Sequence, residues 1–167
     1  MKKIYYWSPH ISNVATIKNV INSAISIKKF SKKKVTVKII DVVGEWNNFR
    51  YLFKLNNIEL IKFSGLNLKK YFPIVGFFKS RLIYLLVFIF KIKQLKNLIT
   101  NEKPDFLIVH LITVAPLFLF LIFNFNTKLI LRISGLPKLT ILRKFLWKKV
   151  SKKINLITCP SEETKND

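Results

Sequence analysis

The residues best suited to chemistry stand at the ends of apolar runs. His110 follows Phe106-Leu107-Ile108-Val109, and Arg132 closes a run that begins at Lys128. A histidine can act as an acid, a base or a hydrogen-bond donor near neutral pH, and an arginine can bind a phosphate through two parallel hydrogen bonds. The alternatives are a histidine packed at a strand end and an edge arginine that reaches solvent. We take His110 as the candidate catalytic residue and Arg132 as a candidate substrate-binding residue.

Two loops next to apolar runs supply further polar groups. The first, from Ser8 to Asn13, leads into a helical pattern, and the backbone N–H groups at the start of a helix bind phosphate-like anions. A simple capped turn is the alternative there. The second loop follows Arg132. The candidate substrate-binding residues are therefore Ser8, His10, Ser12, Asn13, Arg132, Ser134 and Gly135.

Several familiar cofactor motifs are absent from the sequence. It contains neither a phosphate-binding G-x-x-x-x-G-K-[ST] loop nor a G-x-G-x-x-G after the first apolar run. Its one cysteine, Cys159, and its two distant histidines do not form a zinc pattern. We expect no cofactor and no metal, and the single cysteine fits a reducing, cytosolic compartment.

The charge of the chain is strongly positive. The 167 residues include 30 Lys and Arg but 8 Asp and Glu, which gives a formal charge of +22. Such a field attracts nucleic acid, anionic lipid or phosphorylated ligands. Compositional bias is the alternative source, because an AT-rich genome enriches Lys, Ile, Asn and Phe together.

Strand and helix patterns alternate along the whole chain. Strand patterns cover Lys3–Trp7, Lys34–Val43, Ile58–Phe63, Asp105–Ile112, Lys128–Ser134 and Asn155–Cys159. Helical patterns cover Val14–Phe30, with Ser12 or Asn13 as N-cap, and Phe77–Thr100, Val114–Phe123 and Leu139–Ile154. This alternation predicts a single α/β domain with a Rossmann-like, doubly wound, mostly parallel sheet and helices on both faces. Ligands of such sheets gather outside the carboxyl ends of the strands, where His110 would lie.

Two stretches raise the question of a membrane. Phe106 to Thr127 carries no formal charge and is long enough to span a bilayer, but His110 and Pro116 interrupt it, which favours a strand and a short helix. The last helical pattern has a cationic face beside an apolar stripe, which suits an anionic membrane surface. Its candidate surface residues are Arg143, Lys144, Trp147, Lys148 and Lys152. Nucleic acid and an ordinary solvated face are the alternatives.

Five phrases, in their order and spacing, carry a family resemblance. They are Trp7-Ser8-Pro9-His10-Ile11-Ser12, Val43-Gly44-Glu45-Trp46, Lys103-Pro104-Asp105 running to His110, Arg132 to Leu139 with Leu146-Trp147, and Ile157-Thr158-Cys159-Pro160-Ser161. With them, nearly the whole chain resembles the N-terminal, acceptor-binding half of the family-four, GT-B type glycosyltransferases. These enzymes build bacterial surface polysaccharide or lipopolysaccharide.

The resemblance implies a role for each part of the chain. The family's P-D-x-x-x-x-H pattern places a histidine beside the transferred sugar, and it falls on His110. The family's glycine-rich first loop is absent here, as is the E-x(7)-E signature of its donor-binding half. We therefore expect a glycosyltransferase N-terminal domain at 1–161, a truncated C-terminal end at 162–167, and little or no transfer without a donor-binding half. The chain is then either a truncated product or one half of a split enzyme whose donor-binding half is a separate chain.

The predicted function is transfer of a sugar from a nucleotide-sugar donor to a lipid-linked or saccharide acceptor. The resemblance implies a cytoplasmic protein, peripheral on the inner face of the cytoplasmic membrane. A non-catalytic accessory or degenerate binding module at the membrane surface is the first alternative. A basic nucleic-acid-binding domain is the second, but the aromatic residues sit inside apolar runs rather than forming stacking platforms, so we expect no nucleic acid.

Overall fold

The computed structural model describes residues 1–10, 15–31, 34–63, 77–111, 113–134 and 140–162, without the side chains of 77–83, 142 and 143. The strands are β1 (Lys2–Trp7), β2 (Val35–Asp41), β3 (Glu59–Lys62), β4 (Phe106–Val109), β5 (Lys128–Arg132) and β6 (Ile154–Thr158). The helices are α1 (Thr16–Phe30), α2 (Arg50–Leu55), α3 (Phe77–Glu102), α4 (Val114–Ile122) and α5 (Ile141–Val150), with 3-10 turns at Asn47–Phe49 and Ser151–Lys153.

The six strands form one sheet in the order β3-β2-β1-β4-β5-β6, and every pairing is parallel. The chain moves outward from β1 to β3, returns to the other side of β1 at β4, and moves outward again to β6. This order confirms the predicted doubly wound parallel sheet. Ligands of such sheets bind in a crevice outside the carboxyl ends of the strands where the winding direction changes, which here are β1 and β4.

Two apolar layers cover the sheet, because side chains alternate between its faces. On one face Tyr5 and Trp7 pack with α3, α4 and α5; on the other Tyr6 packs with α1 and α2. α1 turns Ile17, Val20, Ile21 and Ala24 inward at three- and four-residue spacings, as its sequence predicts.

Three local predictions are corrected by the structure. α1 begins at Thr16 after Ala15, which makes no side-chain capping bond, so the predicted N-cap at Ser12 or Asn13 is wrong. α2 was not predicted, because it buries only Phe53 and shows no apolar period. The last helix ends at Val150 rather than Ile154, which instead opens β6.

The long helix α3 has one buried face. Val87, Lys91, Leu95 and Ile99 recur at every fourth residue and are buried, whereas side chains such as Phe90 are exposed. No helix among the described residues is long and apolar enough to cross a membrane. The uncharged run that begins at Phe106 is divided between β4 and α4, as its breaks predict.

Polar contacts close the amino edge of the sheet between β1, β4 and β5. The Asp105 carboxylate accepts a bond from the backbone N–H of Lys3 at 2.7 Å, and its carbonyl accepts one from Lys128 at 2.9 Å. The Tyr5 hydroxyl donates to Glu102 at 2.8 Å. The Lys103-Pro104-Asp105 segment therefore also stabilises the sheet, because Asp105 links β1 and β5 to the start of β4 at the amino edge.

Candidate active site

Three predicted residues meet in one row at the carboxyl edge of the sheet. The strand registers pair Trp7 with Val109 and Val109 with Leu131. The next residues on the three strands are Ser8, His110 and Arg132, which we call the carboxyl-edge row. The backbone N–H of His110 donates to the carbonyl of Trp7 at 3.0 Å, so the pairing continues past the end of β4.

The pleat directs this row toward the face that carries α1. The preceding residues Trp7, Val109 and Leu131 all belong to the apolar layer on the opposite face, and successive side chains of a strand alternate. Burial raises the pKa of Tyr6, a residue of the α1 face, while the Arg132 charge opposes that rise. The guanidinium therefore lies within electrostatic reach of the same face as Tyr6.

Polar atoms without partners mark this region. Ser8 Oγ, Trp46 Nε1 and His110 Nδ1 are buried and make no hydrogen bond among the described residues. Most buried polar groups in proteins are paired, because an unmade bond costs about 1–3 kcal/mol. Three such atoms close to the crevice are the pattern expected of groups that bind a ligand.

The electrostatics of the row keep its histidine neutral. Burial, and then the positive charge of Arg132, lower the pKa of His110 from 6.5 to about 4. At neutral pH the imidazole can accept one hydrogen bond and donate another, and it carries no charge of its own. Arg132 supplies the positive charge, so the pair can bind a hydroxyl and an anionic group side by side.

The structure locates only part of the predicted first loop. His10 is buried, with Nδ1 3.4 Å from the Ser8 carbonyl, and its ring meets Trp46 edge-on at 4.6 Å between centroids. Ser12 and Asn13 lie outside the described residues, as does Gly135. Ser134 is exposed beyond Arg132. Of the predicted binding residues, Ser8 and Arg132 are thus placed in the row with His110, and His10 is placed against Trp46.

Sequence reasoning missed Trp46 as a site residue. Its indole stacks edge-on against Phe49 and Phe53 as well as His10, which fixes the ring at the edge of the α1 layer. An unpartnered indole N–H is a donor only, so it favours a ligand with oxygen acceptors. The sequence signal that could have identified Trp46 is its position in the turn that follows β2, because β2 is the strand next to β1.

A buried ionisable group supports that turn. The Glu45 carboxyl accepts bonds from the backbone N–H groups of Val42 at 3.1 Å and Val43 at 2.7 Å. Burial, the hydrogen bond with Asp41 and the Asp41 charge raise the pKa of Glu45 well above 4.5. Burial lowers the pKa of Lys91, and the charge interaction with Glu45 partly offsets this lowering. These residues hold the backbone that carries Trp46.

The residues of the predicted basic helix differ in their exposure to solvent. Lys144 and Lys148 are exposed on α5, together with Phe145, whereas Trp147 is half-buried against the apolar layer. Lys152 lies in the 3-10 turn beyond the helix. The side chain of Arg143 is outside the described set.

No group of three His, Cys, Asp or Glu side chains that could hold a metal occurs in the described part of the chain. The ligating chemistry of the crevice is that of hydrogen-bond donors, one neutral histidine and one arginine.

Solved structures resemble this chain over nearly its whole length. UDP-GlcNAc 2-epimerase from Neisseria meningitidis, bound to UDP-GlcNAc, matches 99% of the chain with a TM-score of 0.60 and 18% identity. Spinosyn forosaminyltransferase SpnP matches 91% with a TM-score of 0.56 and 10% identity. Spinosyn rhamnosyltransferase SpnG, complexed with thymidine diphosphate, matches 100% with a TM-score of 0.55 and 9% identity.

These similarities define the fold of the chain. It is a Rossmann-like α/β domain of the kind found in GT-B glycosyltransferases and epimerases. The chain spans less than half of each of these solved proteins, namely 42%, 41% and 47% of their lengths. No protein-family model and no curated protein sequence matches it.

Proposed function

We propose that the chain is the acceptor-binding domain of a glycosyltransferase that uses a nucleotide-sugar donor. The observation that carries the proposal is the carboxyl-edge row, whose unpartnered Ser8 and His110 atoms lie where the winding direction of the sheet changes. The resemblance to two spinosyn glycosyltransferases supports the same class of chemistry.

In this proposal each residue of the row has a distinct task. Neutral His110 orients the acceptor hydroxyl beside the sugar that is transferred, since an uncharged imidazole can accept a hydrogen bond from that hydroxyl. Arg132 binds a phosphate or carboxylate of the acceptor. Ser8 and Trp46 donate to its oxygens. A lipid-linked sugar phosphate, as in surface polysaccharide or lipopolysaccharide synthesis, is an acceptor of this chemistry.

Binding of such an acceptor tests the proposal directly. Tryptophan fluorescence reports on the site because Trp46 borders it. A polyprenyl diphosphate sugar should quench the emission with a saturable curve, and Arg132→Ala should weaken the apparent Kd by about tenfold, the usual effect of losing a charged hydrogen bond. Lys54→Ala is the matched control, because Lys54 is an exposed cation on α2. Identical curves for both variants would contradict the proposed site.

Sugar transfer in this proposal requires a second, donor-binding domain. The solved neighbours are more than twice as long as the matched region. Adding a donor-binding domain and a labelled nucleotide sugar should yield a glycosylated acceptor, and His110→Ala should abolish it. Transfer that His110→Ala leaves intact would remove the histidine from the mechanism, and donor-independent binding without any transfer would favour an accessory module.

An epimerase-type domain is the second candidate function. The observation that favours it is the similarity to UDP-GlcNAc 2-epimerase, which has a TM-score of 0.60. The two candidates differ in product: an epimerase inverts a sugar carbon within the nucleotide sugar, and a transferase moves the sugar to an acceptor. Proton NMR of the reaction with the added second domain separates an epimerised nucleotide sugar from a glycosylated acceptor.

We also propose that the side of the sheet covered by α3, α4 and α5 rests on the inner, cytoplasmic surface of the membrane. This side exposes Lys144, Phe145 and Lys148 on α5 and Phe90 on α3. Cations and exposed apolar groups together suit anionic lipid.

Sedimentation with vesicles tests this membrane contact. The chain should bind vesicles of phosphatidylglycerol at low salt and leave them at high salt, because salt screens surface charge. Replacing Lys144 and Lys148 by alanine should reduce binding several-fold. The control replaces Lys18 and Lys29, two exposed lysines of α1 on the other side of the sheet. Equal losses would indicate attraction by the overall charge, without a membrane face.

A further inference from the structure

A second concave site lies at the amino edge of the sheet, away from the carboxyl-edge row. Its cavity of about 340 Å³ is lined by the end of α4, the loop into β5, and the turn that leads into β6. Lys128 begins β5 and Arg132 ends it, so at about 3.3 Å per residue the two sites are roughly 13 Å apart. We call this the amino-edge cavity.

The charged side chains described around this cavity are all cationic. Lys152 and Lys153 line it, and Lys128 lines it too, although the Lys128 ammonium lies 5.9 Å from the centre of the Phe106 ring on the neighbouring strand. None of the described lining residues carries a carboxylate. Lys96 adds another cation nearby, with its ammonium 4.0 Å from the centre of the Phe123 ring. A concave surface of one sign concentrates the field inside it and favours a ligand of the opposite sign.

Two asparagines of the cavity use their side-chain oxygens as acceptors, so their side-chain NH₂ groups are available to a ligand. The side-chain oxygen of Asn155 accepts the backbone N–H of Leu129 at 2.9 Å, and that of Asn124 accepts the Lys153 ammonium at 2.8 Å. With both oxygens engaged, each amide is left with its NH₂ group, which only donates. Lys153 itself is held in place by a second bond, to the Leu121 carbonyl at 3.3 Å.

The size and floor of the cavity limit the ligand further. Phe120, Phe123 and Phe125 line it, and the Phe125 ring packs against the other two, with its centroid 5.1 Å from that of Phe120 and 6.0 Å from that of Phe123. A volume near 340 Å³ is at the small end of ligand pockets. It exceeds what a single phosphate fills, so the apolar floor can receive the organic part of a phosphorylated compound.

We propose that the amino-edge cavity binds the phosphate or diphosphate group of a small phosphorylated ligand, through Lys152 and the NH₂ groups of Asn124 and Asn155. The same chemistry is offered by a soluble phosphate ester and by a phosphorylated lipid headgroup. The site is separate from the carboxyl-edge row, so it does not depend on the proposed transferase function.

Isothermal titration calorimetry of the full chain with inorganic pyrophosphate tests the soluble source. Asn155→Asp is the sharpest variant, because it retains an oxygen for Leu129 and replaces the donating NH₂ by a negative oxygen. Its Kd should be weaker by tenfold or more, roughly the effect of losing one charged hydrogen bond. Lys152→Ala, at an exposed side chain whose loss should not disturb folding, should have a similar effect. Lys54→Ala, an equal loss of charge on α2, should change the Kd less than about twofold.

Binding to vesicles that contain phosphatidic acid tests the lipid source with the same variants, and thermal unfolding shows whether each one is folded. Pyrophosphate binding that both cavity variants weaken assigns a soluble ligand. If both cavity variants weaken binding to the vesicles, and calorimetry shows no binding of pyrophosphate, the ligand is a lipid headgroup. The proposal is overturned if the wild-type chain binds neither, or if Lys54→Ala weakens binding as much as Lys152→Ala does.

Discussion

The two edges of the sheet handle polar groups in opposite ways. At the amino edge, Asp105 and Glu102 receive bonds from backbone and side-chain donors of neighbouring strands. At the carboxyl edge, Ser8, Trp46 and His110 each bury a polar atom that makes no hydrogen bond within the described part of the chain. Buried polar groups without hydrogen bonds cost free energy, and proteins are only marginally stable. Such groups are therefore expected to persist where they serve a function. The comparison indicates that the amino edge of β1 and β4 stabilises the fold and that their carboxyl edge binds a ligand.

The largest expected effect comes from the buried carboxyl beside the crevice. Glu45→Ala leaves the N–H groups of Val42 and Val43 and the Asp41 carboxylate buried without their partner. We expect the free energy of unfolding to fall by about 3 kcal/mol, the sum expected for several unpaired buried groups. Urea denaturation measures it. Glu45→Gln keeps one acceptor and a donor for Asp41, but its NH₂ group would face the N–H of Val42 or Val43, so it should recover only part of the loss. A loss in Glu45→Gln as large as in Glu45→Ala would show that the hydrogen bonds are not what matters.

The next effect is a pH dependence that comes from His110. Its pKa is about 4 in the folded chain and near 6.5 when unfolded. The unfolded state therefore binds more protons between these values, so His110 makes stability fall as the pH is lowered from 6.5 to 4.

His110→Gln removes this titration and should flatten that part of the stability curve. Chemical denaturation at pH 7, 6, 5 and 4 measures it for both proteins. His10 is the other histidine of the chain, so His10→Gln is the matched comparison. If the slopes of wild type and His110→Gln agree between pH 6.5 and 4, His110 is not buried as a neutral ring.

The smallest effect is expected at the amino edge. Glu102 accepts from the Tyr5 hydroxyl, lies 3.5 Å from the Lys38 ammonium, and is itself exposed to solvent at 41% of its side chain. Glu102→Gln keeps an acceptor for Tyr5 and loses the ion pair. Because exposed ion pairs contribute about 0–1 kcal/mol, the free energy of unfolding should change by less than about 1 kcal/mol, and less in high salt. A loss comparable with that of Glu45→Ala would remove the contrast between the two edges.

The sequence predicted the scaffold of the site well, because strand and helix periods are local properties. Alternating strand and helix patterns were enough to predict that His110 and Arg132 would share the carboxyl edge of one parallel sheet. The predicted strands Asp105–Ile112 and Lys128–Ser134 extend beyond the observed ends of β4 and β5. The short helix α2 escaped prediction since its one buried side chain, Phe53, has no periodic companions.

The buried charges could not be predicted in the same way. Lys91 reads as a solvated lysine, although it stands four residues from both Val87 and Leu95 on the inner face of α3. The group that partly opposes the effect of this burial on the Lys91 pKa is Glu45, which is distant in sequence. The sequence likewise did not show that Trp46 belongs to the site. The loops after β1 and β2 come together where His10 packs against the Trp46 ring, and that contact depends on the tertiary structure.

The most direct test of the account is the titration of the His110 ring by NMR in the wild-type chain and in Arg132→Gln. The account predicts a neutral ring down to a pKa of about 4, and a higher pKa once the neighbouring positive charge is removed. A His110 pKa near 6.5 that Arg132→Gln does not change would contradict a buried row in which these two side chains are neighbours.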